Sequence, residues 1–343
     1  MRPGKRLTQR DIAQLAGVSQ ATVSLVLNDA SSAEGRIPKE TRDRVQKAIR
    51  ETGYVADPIA RRMAKGLNRI LGVFTYEPAF PSEQADFFGP FLFGIEEAAQ
   101  QVGYDLLLLT GAAHQGHRKI FSENNRLRLA DGCLVLGREF DQDELTRLVA
   151  GDYPFVAVGR RNDAGGPVPY VGADYAAATA SLVQRARDLG HTRIAYIGPA
   201  QGAESTVDRW VGFSRAIEGM DFVAHIPAAA QPAAQTLDTL IASKASVAFF
   251  IELADAILVE RLALQRGLTI PGDLSIVVLG NHIRAEQTGT RFTSFSIPRE
   301  AMGHGAAQML VRRVEDQSPG QQVLLPCEPV DGETLGAMTM RTQ

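Results

Sequence analysis

Gln20, Ala21, Ser24, Leu25 and Asn28 share one face of a short helical stretch, and none of them is acidic. Small or hydrogen-bonding side chains without a carboxylate are what a helix needs to enter a major groove and reach base edges. On the same stretch Val23, Val26 and Leu27 fall at apolar helical spacing, and just upstream Ile12, Ala13, Leu15 and Ala16 do the same. Gly17 marks a tight turn between the two stretches, and Val18 can plug the angle between them. Thr8 and Ser19 stand where N-caps are expected. The result reads as a helix-turn-helix, a shape that also occurs as a plain helical hairpin outside DNA binding. Charge decides between the two readings. Residues 1–66 hold 13 Lys+Arg against 7 Asp+Glu, a net of +6, whereas the rest of the chain carries a net of −9, hidden in an overall −3. A basic segment on an acidic body predicts a polyanionic partner.

Beyond this segment, side chains that could do covalent or metal chemistry are scattered. The six histidines are 114, 117, 191, 225, 282 and 304. His114 and His117 have a metal-like spacing but sit in a glycine-rich loop with no third ligand nearby. Neither a phosphate-cradling loop nor a nucleophile elbow occurs. The sequence therefore predicts no catalytic residues, no metal and no cofactor. Arg160-Arg161, at the end of the apolar run Phe155–Val158, point to an acidic or phosphorylated ligand or to a structural pairing. Phe87 and Phe88 offer a stacking face to a sugar ring or ordinary core packing.

The elements that must position these residues follow from patterning. A length of 343 residues predicts two or three domains, and 45% apolar residues suffice for large cores. Cys133 and Cys327 give no disulfide framework and read as buried thiols of a reducing compartment. The basic N-terminus lacks an apolar leader core, and no window reaches the ~18 apolar residues of a membrane span. The expected location is cytoplasmic, with no membrane partner. Strand-like runs lie at 70–75, 104–109, 132–136, 154–158, 193–197, 246–251 and 274–279, with helical stretches between them. Such alternation predicts parallel sheets covered on both faces. The expected fold is an all-α helix-turn-helix headpiece followed by an α/β core of two doubly wound parallel-sheet lobes. Gly165–Pro169 is a candidate crossover, and Phe292–Val314 must rejoin one lobe. Ligands bind such sheets at the carboxyl ends of the strands, here in the cleft between lobes.

Several ordered segments make a resemblance specific. Leu7–Asn28, Arg36–Val45 and Gly53-Tyr54-Val55 resemble the headpiece of the LacI/GalR family of transcription regulators. Further matches are Phe87-Phe88 followed by Gly94–Ala99, then Leu189–Gly198, then Gly267–Ile276, so the likeness spans the whole chain. It implies a headpiece over 1–56, a hinge helix over 57–66 and a periplasmic-binding-protein-like core over 67–343. The first lobe would hold about 69–168 and 296–323, the second about 169–295 and 324–343, with three crossings between them.

The resemblance also implies roles. Gln20, Ala21 and Leu25 would face base edges, while Thr8, Ser19, Thr22, Ser24, Asn28 and Tyr54 would contact phosphates. In the hinge, Ile59, Ala60 and Met63 form the apolar face, and Met63 would wedge into the minor groove. An eight-residue helix of this kind needs a twin and DNA in order to form. In the core, Arg209 matches the family's effector-binding arginine; the alternative is an ion pair with Asp208. Asp174 matches the cleft acid, or else N-caps the following helix. The family's Asn-Asp pair is replaced by Glu252-Leu253. Its later acid is replaced by Gly280, so that Glu252 or Asn281 would substitute. The function implied is a ligand-responsive regulator, most readily a repressor of carbohydrate or related catabolic genes. It would bind a pseudo-palindromic operator on double-stranded DNA as a homodimer and respond to a sugar, sugar acid or phosphorylated metabolite. The absence of a heptad-bearing tail after the last core strand argues against a coiled-coil tetramer. A solute-binding protein would need a leader and no headpiece, and an enzyme would need a clustered acid, base or nucleophile.

Overall fold

The computed structural model describes residues 7–28, 37–54, 66–77, 85–110, 118–121, 126–227, 231–280 and 289–338. Two compact units emerge, Met1–Ile70 and Leu71–Gln343. The hinge residues Ile59, Ala60 and Met63 lie outside the described residues, as do Asn281, His114, His117 and His282.

In the first unit the described helices are α1 (Gln9–Ala16), α2 (Gln20–Asn28) and α3 (Lys39–Thr52). Helices this short need tertiary packing to persist. Thr8 opens α1 with a capping box: its hydroxyl accepts from the Asp11 N–H at 3.4 Å, and the Asp11 carboxylate accepts from the Thr8 N–H at 2.7 Å. Gly17 closes α1 at φ 64°, a left-handed conformation that costs glycine little. Ser19 then caps α2 by accepting from the Thr22 N–H at 3.1 Å. Ile12 and Val23 are fully buried and meet Val45 and Ala48 of α3, while Val18, Val26 and Leu27 pack around them. Leu15 departs from the expected core face. It is 63% exposed, because Ile12, Ala13 and Ala16 already fill the narrow stripe that α1 presents to its neighbours.

The second unit runs β1 (Ile70–Thr75), α4 (Ala85–Gln101), β2 (Asp105–Leu109), β3 (Gly132–Leu136), α5 (Gln142–Ala150), β4 (Phe155–Val158) and β5 (Tyr170–Ala173). The chain continues with α6 (Tyr175–Asp188), β6 (Arg193–Ile197), α7 (Glu204–Ala216), β7 (Asp221–Ile226), α8 (Ala233–Ala242), β8 (Val247–Phe250), α9 (Leu253–Gln265) and β9 (Ser275–Val278). It ends with β10 (Ser294–Ser296), α10 (Arg299–Glu315), β11 (Gln322–Leu325) and β12 (Glu328–Val330).

Among the described residues one sheet has the order β11-β5-β4-β3-β1-β2 and a second β7-β6-β8-β9. The pairings β1–β3, β3–β4, β4–β5, β5–β11, β6–β7, β6–β8 and β8–β9 are all parallel. A short antiparallel ribbon joins β10 to β12. Away from its exposed edge strands, each sheet is buried on both faces. In the first, Val73, Leu134 and Val156 face α4 and α10, while Cys133, Val135 and Phe155 face α5. In the second, Tyr196 and Phe249 face α6 and α7, while Ile197 and Phe250 face α8 and α9.

The crossover between lobes falls later than Gly165–Pro169. Tyr170–Ala173 pairs with β4 and so belongs to the first sheet, and Gln322–Leu325 pairs with β5 at its edge. The chain leaves the first lobe at Asp174, whose N–H donates to the Leu325 carbonyl at 2.8 Å, and the last crossing also starts there. Helix α10 returns to the first lobe against α4. Cys133 is buried, and burial pushes its thiol up to about 12; Cys327 is only half-buried, at about 11.

Candidate functional site

The loops after β1, β3, β4, β6, β8 and β9 converge on a cleft of about 1100 Å³ between the two lobes. These are the carboxyl ends of parallel strands, where open α/β sheets bind ligands. Tyr76 and Glu77, Gly137 and Arg138, and Arg160 and Arg161 line it from one side; Pro199, Ile251 and Glu252, and Leu279 and Gly280 line it from the other.

Arg209 lies at the base of this cleft and is only 8% exposed. Its helix, α7, is drawn onto α6 at Gly212, where a β-carbon would stand 2.2 Å from the Ala176 carbonyl oxygen. That close approach, one turn further along α7, sets the depth of Arg209. Its Nε donates to the Leu279 carbonyl at 2.7 Å and its Nη1 to the Ser205 carbonyl at 2.8 Å. The guanidinium stacks 4.0 Å from the centre of the Tyr175 ring. Two backbone bonds and an aromatic floor fix the fork, and among the described residues no carboxylate pairs with it. Asp208 takes Arg160 instead, accepting from its Nε at 2.6 Å.

Arg160 and Arg161 tie the lobes together. Both follow β4 of the first lobe, and both partners, Asp208 and Glu204, stand on α7 of the second. Arg161 Nη1 donates to Glu204 Oε2 at 2.9 Å, and its guanidinium lies 3.8 Å from the centre of the Phe140 ring. Burial pulls the Arg161 pKa down, and the adjacent Glu204 carboxylate opposes that shift. Arg160 also donates to Asn162, at 2.9 Å. Both arginines border the cleft; Arg161 Nη2 also donates to the Gly137 carbonyl, while its buried Nε has no hydrogen-bond partner among the described residues.

Phe87 and Glu252, both named as candidates from the sequence, line the cleft. Phe87 meets Phe88 and Phe91 edge-on, with Phe88 buried behind it. Asp174 takes the capping alternative. Its carboxylate accepts from the Ala177 N–H at 2.9 Å, and it is not among the cleft-lining residues, because β5 ends in the first sheet and the chain turns at once into α6. Tyr54, expected at a phosphate, packs into the headpiece core. It is 9% exposed and completes the small core around Val45. Gln20 and Ala21 are exposed, and Thr22, Ser24 and Leu25 are half-buried along the same helix, which ends at Asn28. The hydroxyls of Thr8, Ser19 and Thr22 take part in the caps.

Sequence reasoning missed Arg299, Arg138 and Tyr175. Arg299 lines the cleft and is 8% exposed. A cation at the first position of a helix adds to the positive end of the helix dipole rather than opposing it. That oddity at Pro298-Arg299 was the available signal.

A helix-turn-helix unit with a two-lobed core and an interlobe cleft defines the class of ligand-binding regulators. Residues 8–57 match the family described as bacterial regulatory proteins of the lacI family, and residues 183–335 match the periplasmic binding protein-like domain. The HTH-type transcriptional regulator GntR of Pseudomonas aeruginosa is 27% identical over 317 residues, covering 89% of each chain. The HTH-type transcriptional repressor MelR of Bacillus subtilis is 28% identical over 349 residues, covering 95% of this chain and 97% of its own. The lac repressor dimer bound to operator and an anti-inducer shares the fold with a TM-score of 0.77 at 19% identity, covering 97% of this chain and 100% of that one. A complex of the regulator CelR with cellobiose superposes with a TM-score of 0.62 at 24% identity, covering 96% and 100%. The chain thus pairs a helix-turn-helix domain of the lacI regulatory family with a periplasmic binding protein-like domain. These relatives are regulators of transcription, not enzymes. Among the described residues no helix is long and apolar enough to cross a membrane.

Proposed function

We propose that the chain is a ligand-responsive repressor of carbohydrate or related catabolic genes, binding a pseudo-palindromic operator as a homodimer. The observation that carries this reading is α2. Ser19 caps it, Val23 anchors it, and its acid-free face, led by Gln20 and Ala21, stays accessible to a groove. One such helix covers a half-site, and a two-fold pair of chains reads both halves of a palindrome. The interlobe cleft is the effector site, with Arg209 as the central donor and Phe87 and Glu252 on its walls. In this reading the effector changes the relation of the lobes, and the hinge at 57–66 passes that change to the headpieces.

A gel-shift assay of the full chain on the intergenic DNA adjacent to its own gene tests the reading. A specific, salt-sensitive complex with two-fold footprint symmetry supports it. A chain that binds that DNA no better than an unrelated duplex refutes it.

A further inference from the structure

Among the described residues, seven cationic side chains line the cleft against four acidic ones. Arg160 and Arg161 are matched by Asp208 and Glu204, and Arg118 donates to Thr75 and to the Glu77 carbonyl. Arg209 and Arg138 are different. They form no ion pair with a carboxylate among the described residues, and Arg209 is as deeply buried as Arg299. The three are gathered around two rings: Arg209 lies 4.0 Å from the centre of Tyr175, while Arg138 and Arg299 lie 4.9 and 5.9 Å from the centre of Phe87. We propose that the cleft takes an anionic effector, a small molecule bearing a carboxylate or phosphate, with its acidic group seated between the guanidinium groups of Arg209, Arg299 and Arg138. This rests on the cleft being the effector site and narrows the chemistry of what enters it.

Like charges gathered in a low-dielectric cleft repel one another, and each forfeits hydration. The Arg299 pKa is lowered chiefly by burial, and the charges of Arg209 and Arg138 push it the same way. A bound anion reverses that balance, since a guanidinium fork matches the two oxygens of a carboxylate or phosphate. A neutral sugar gives Arg209 and Arg138 acceptors but no countercharge. Gly280 sharpens the point. A side chain there would project onto Arg209, its β-carbon 3.2 Å from Nη2, so this position offers the arginine space and no carboxylate.

Isothermal titration of the full chain with inorganic phosphate, at an ionic strength held with chloride, tests the proposal. D-glucose, D-gluconate and D-glucose 6-phosphate form a matched set that separates neutral, carboxylate and phosphate chemistry. Saturable phosphate binding is expected, weakening roughly tenfold or more in Arg299→Met and in Arg138→Ala. The Arg138 side chain is on an exposed residue, so its variant keeps the test alive if Arg299→Met does not fold. The proposal is overturned if the folded chain shows no saturable phosphate binding, if both variants bind phosphate as wild type does, or if glucose binds as tightly as its two anionic counterparts. A gel shift on the same preparation keeps the outcomes distinct: phosphate binding without specific DNA binding leaves the anion site standing and removes the regulator reading.

Discussion

A β-carbon on Gly280 would stand 3.2 Å from Nη2 of Arg209. The backbone of Gly280 has a φ of 128°, a conformation that L side chains rarely adopt. The two residues are thus coupled: at Gly280 only main chain confronts the guanidinium, and the Leu279 carbonyl beside it accepts from Nε.

Substitution at Gly280 separates backbone strain from charge. Gly280→Ala is expected to cost about 1–3 kcal/mol through the strained φ. Gly280→Asp carries the same strain and places a carboxylate on Arg209, so its phosphate affinity should fall well below that of the alanine variant. Thermal denaturation and titration calorimetry read the two effects. Equal phosphate affinity in the two variants would detach Gly280 from the anion site.

The interlobe pairs should differ in weight. Glu204→Gln leaves the Arg161 guanidinium, 4% exposed, without its carboxylate, and breaking a buried pair costs about 3–5 kcal/mol. Asp208→Asn affects Arg160, whose side chain is 20% exposed, and should cost distinctly less. Chemical denaturation of both variants checks the order. A larger loss in Asp208→Asn contradicts the burial argument.

His191 gives the fold a pH dependence. Burial lowers its pKa below the ordinary 6.5, against a weaker opposing effect from the hydrogen bond between Nε2 and the Gly336 carbonyl. The unfolded chain therefore binds more protons than the folded one between the two values, so stability falls as pH drops through 6.5 toward the folded pKa. His191→Gln keeps a donor for Gly336 and removes the titration. Denaturation midpoints measured from pH 7.5 downward should show a shallower decline in the variant, and parallel curves would clear His191 of the effect.

Leu25 sits half-buried on α2 and has no donor for a guanine. Leu25→Arg is expected to shift half-site preference toward guanine by about 1–3 kcal/mol. Selection of bound sequences from a randomised pool measures this. An unchanged selected site removes Leu25 from the readout.

Much of this architecture was legible because buried parallel strands read as continuous apolar runs, as in Cys133–Leu136 and Val247–Phe250. Strands β5, β7, β11 and the three-residue β12 were not among those runs. Tyr170–Ala173 has only four residues and follows two prolines, while Asp221–Ile226 and Gln322–Leu325 are edge strands with exposed, mixed polarity. That is also why the crossover was placed a few residues early. In the headpiece, both caps and the turn at Gly17 followed from local chemistry. In the cleft, Arg209 was found through its family match. Its companions were not, because Arg138, Tyr175 and Arg299 come from three separate elements and only the fold brings them together. Asp174 fitted two roles by sequence, and the geometry of α6 selects the cap.

Occupancy of the cleft is expected to control DNA affinity. Fluorescence-anisotropy titration of the full chain on its adjacent intergenic DNA, with and without the cleft's anionic ligand, tests it most directly. A coupling on the order of 1–3 kcal/mol is predicted, a change in operator affinity of about 5–150-fold, collapsing to no change in Arg209→Ala. Identical affinities with and without a ligand shown to occupy the cleft, or an undiminished response in Arg209→Ala, would contradict it.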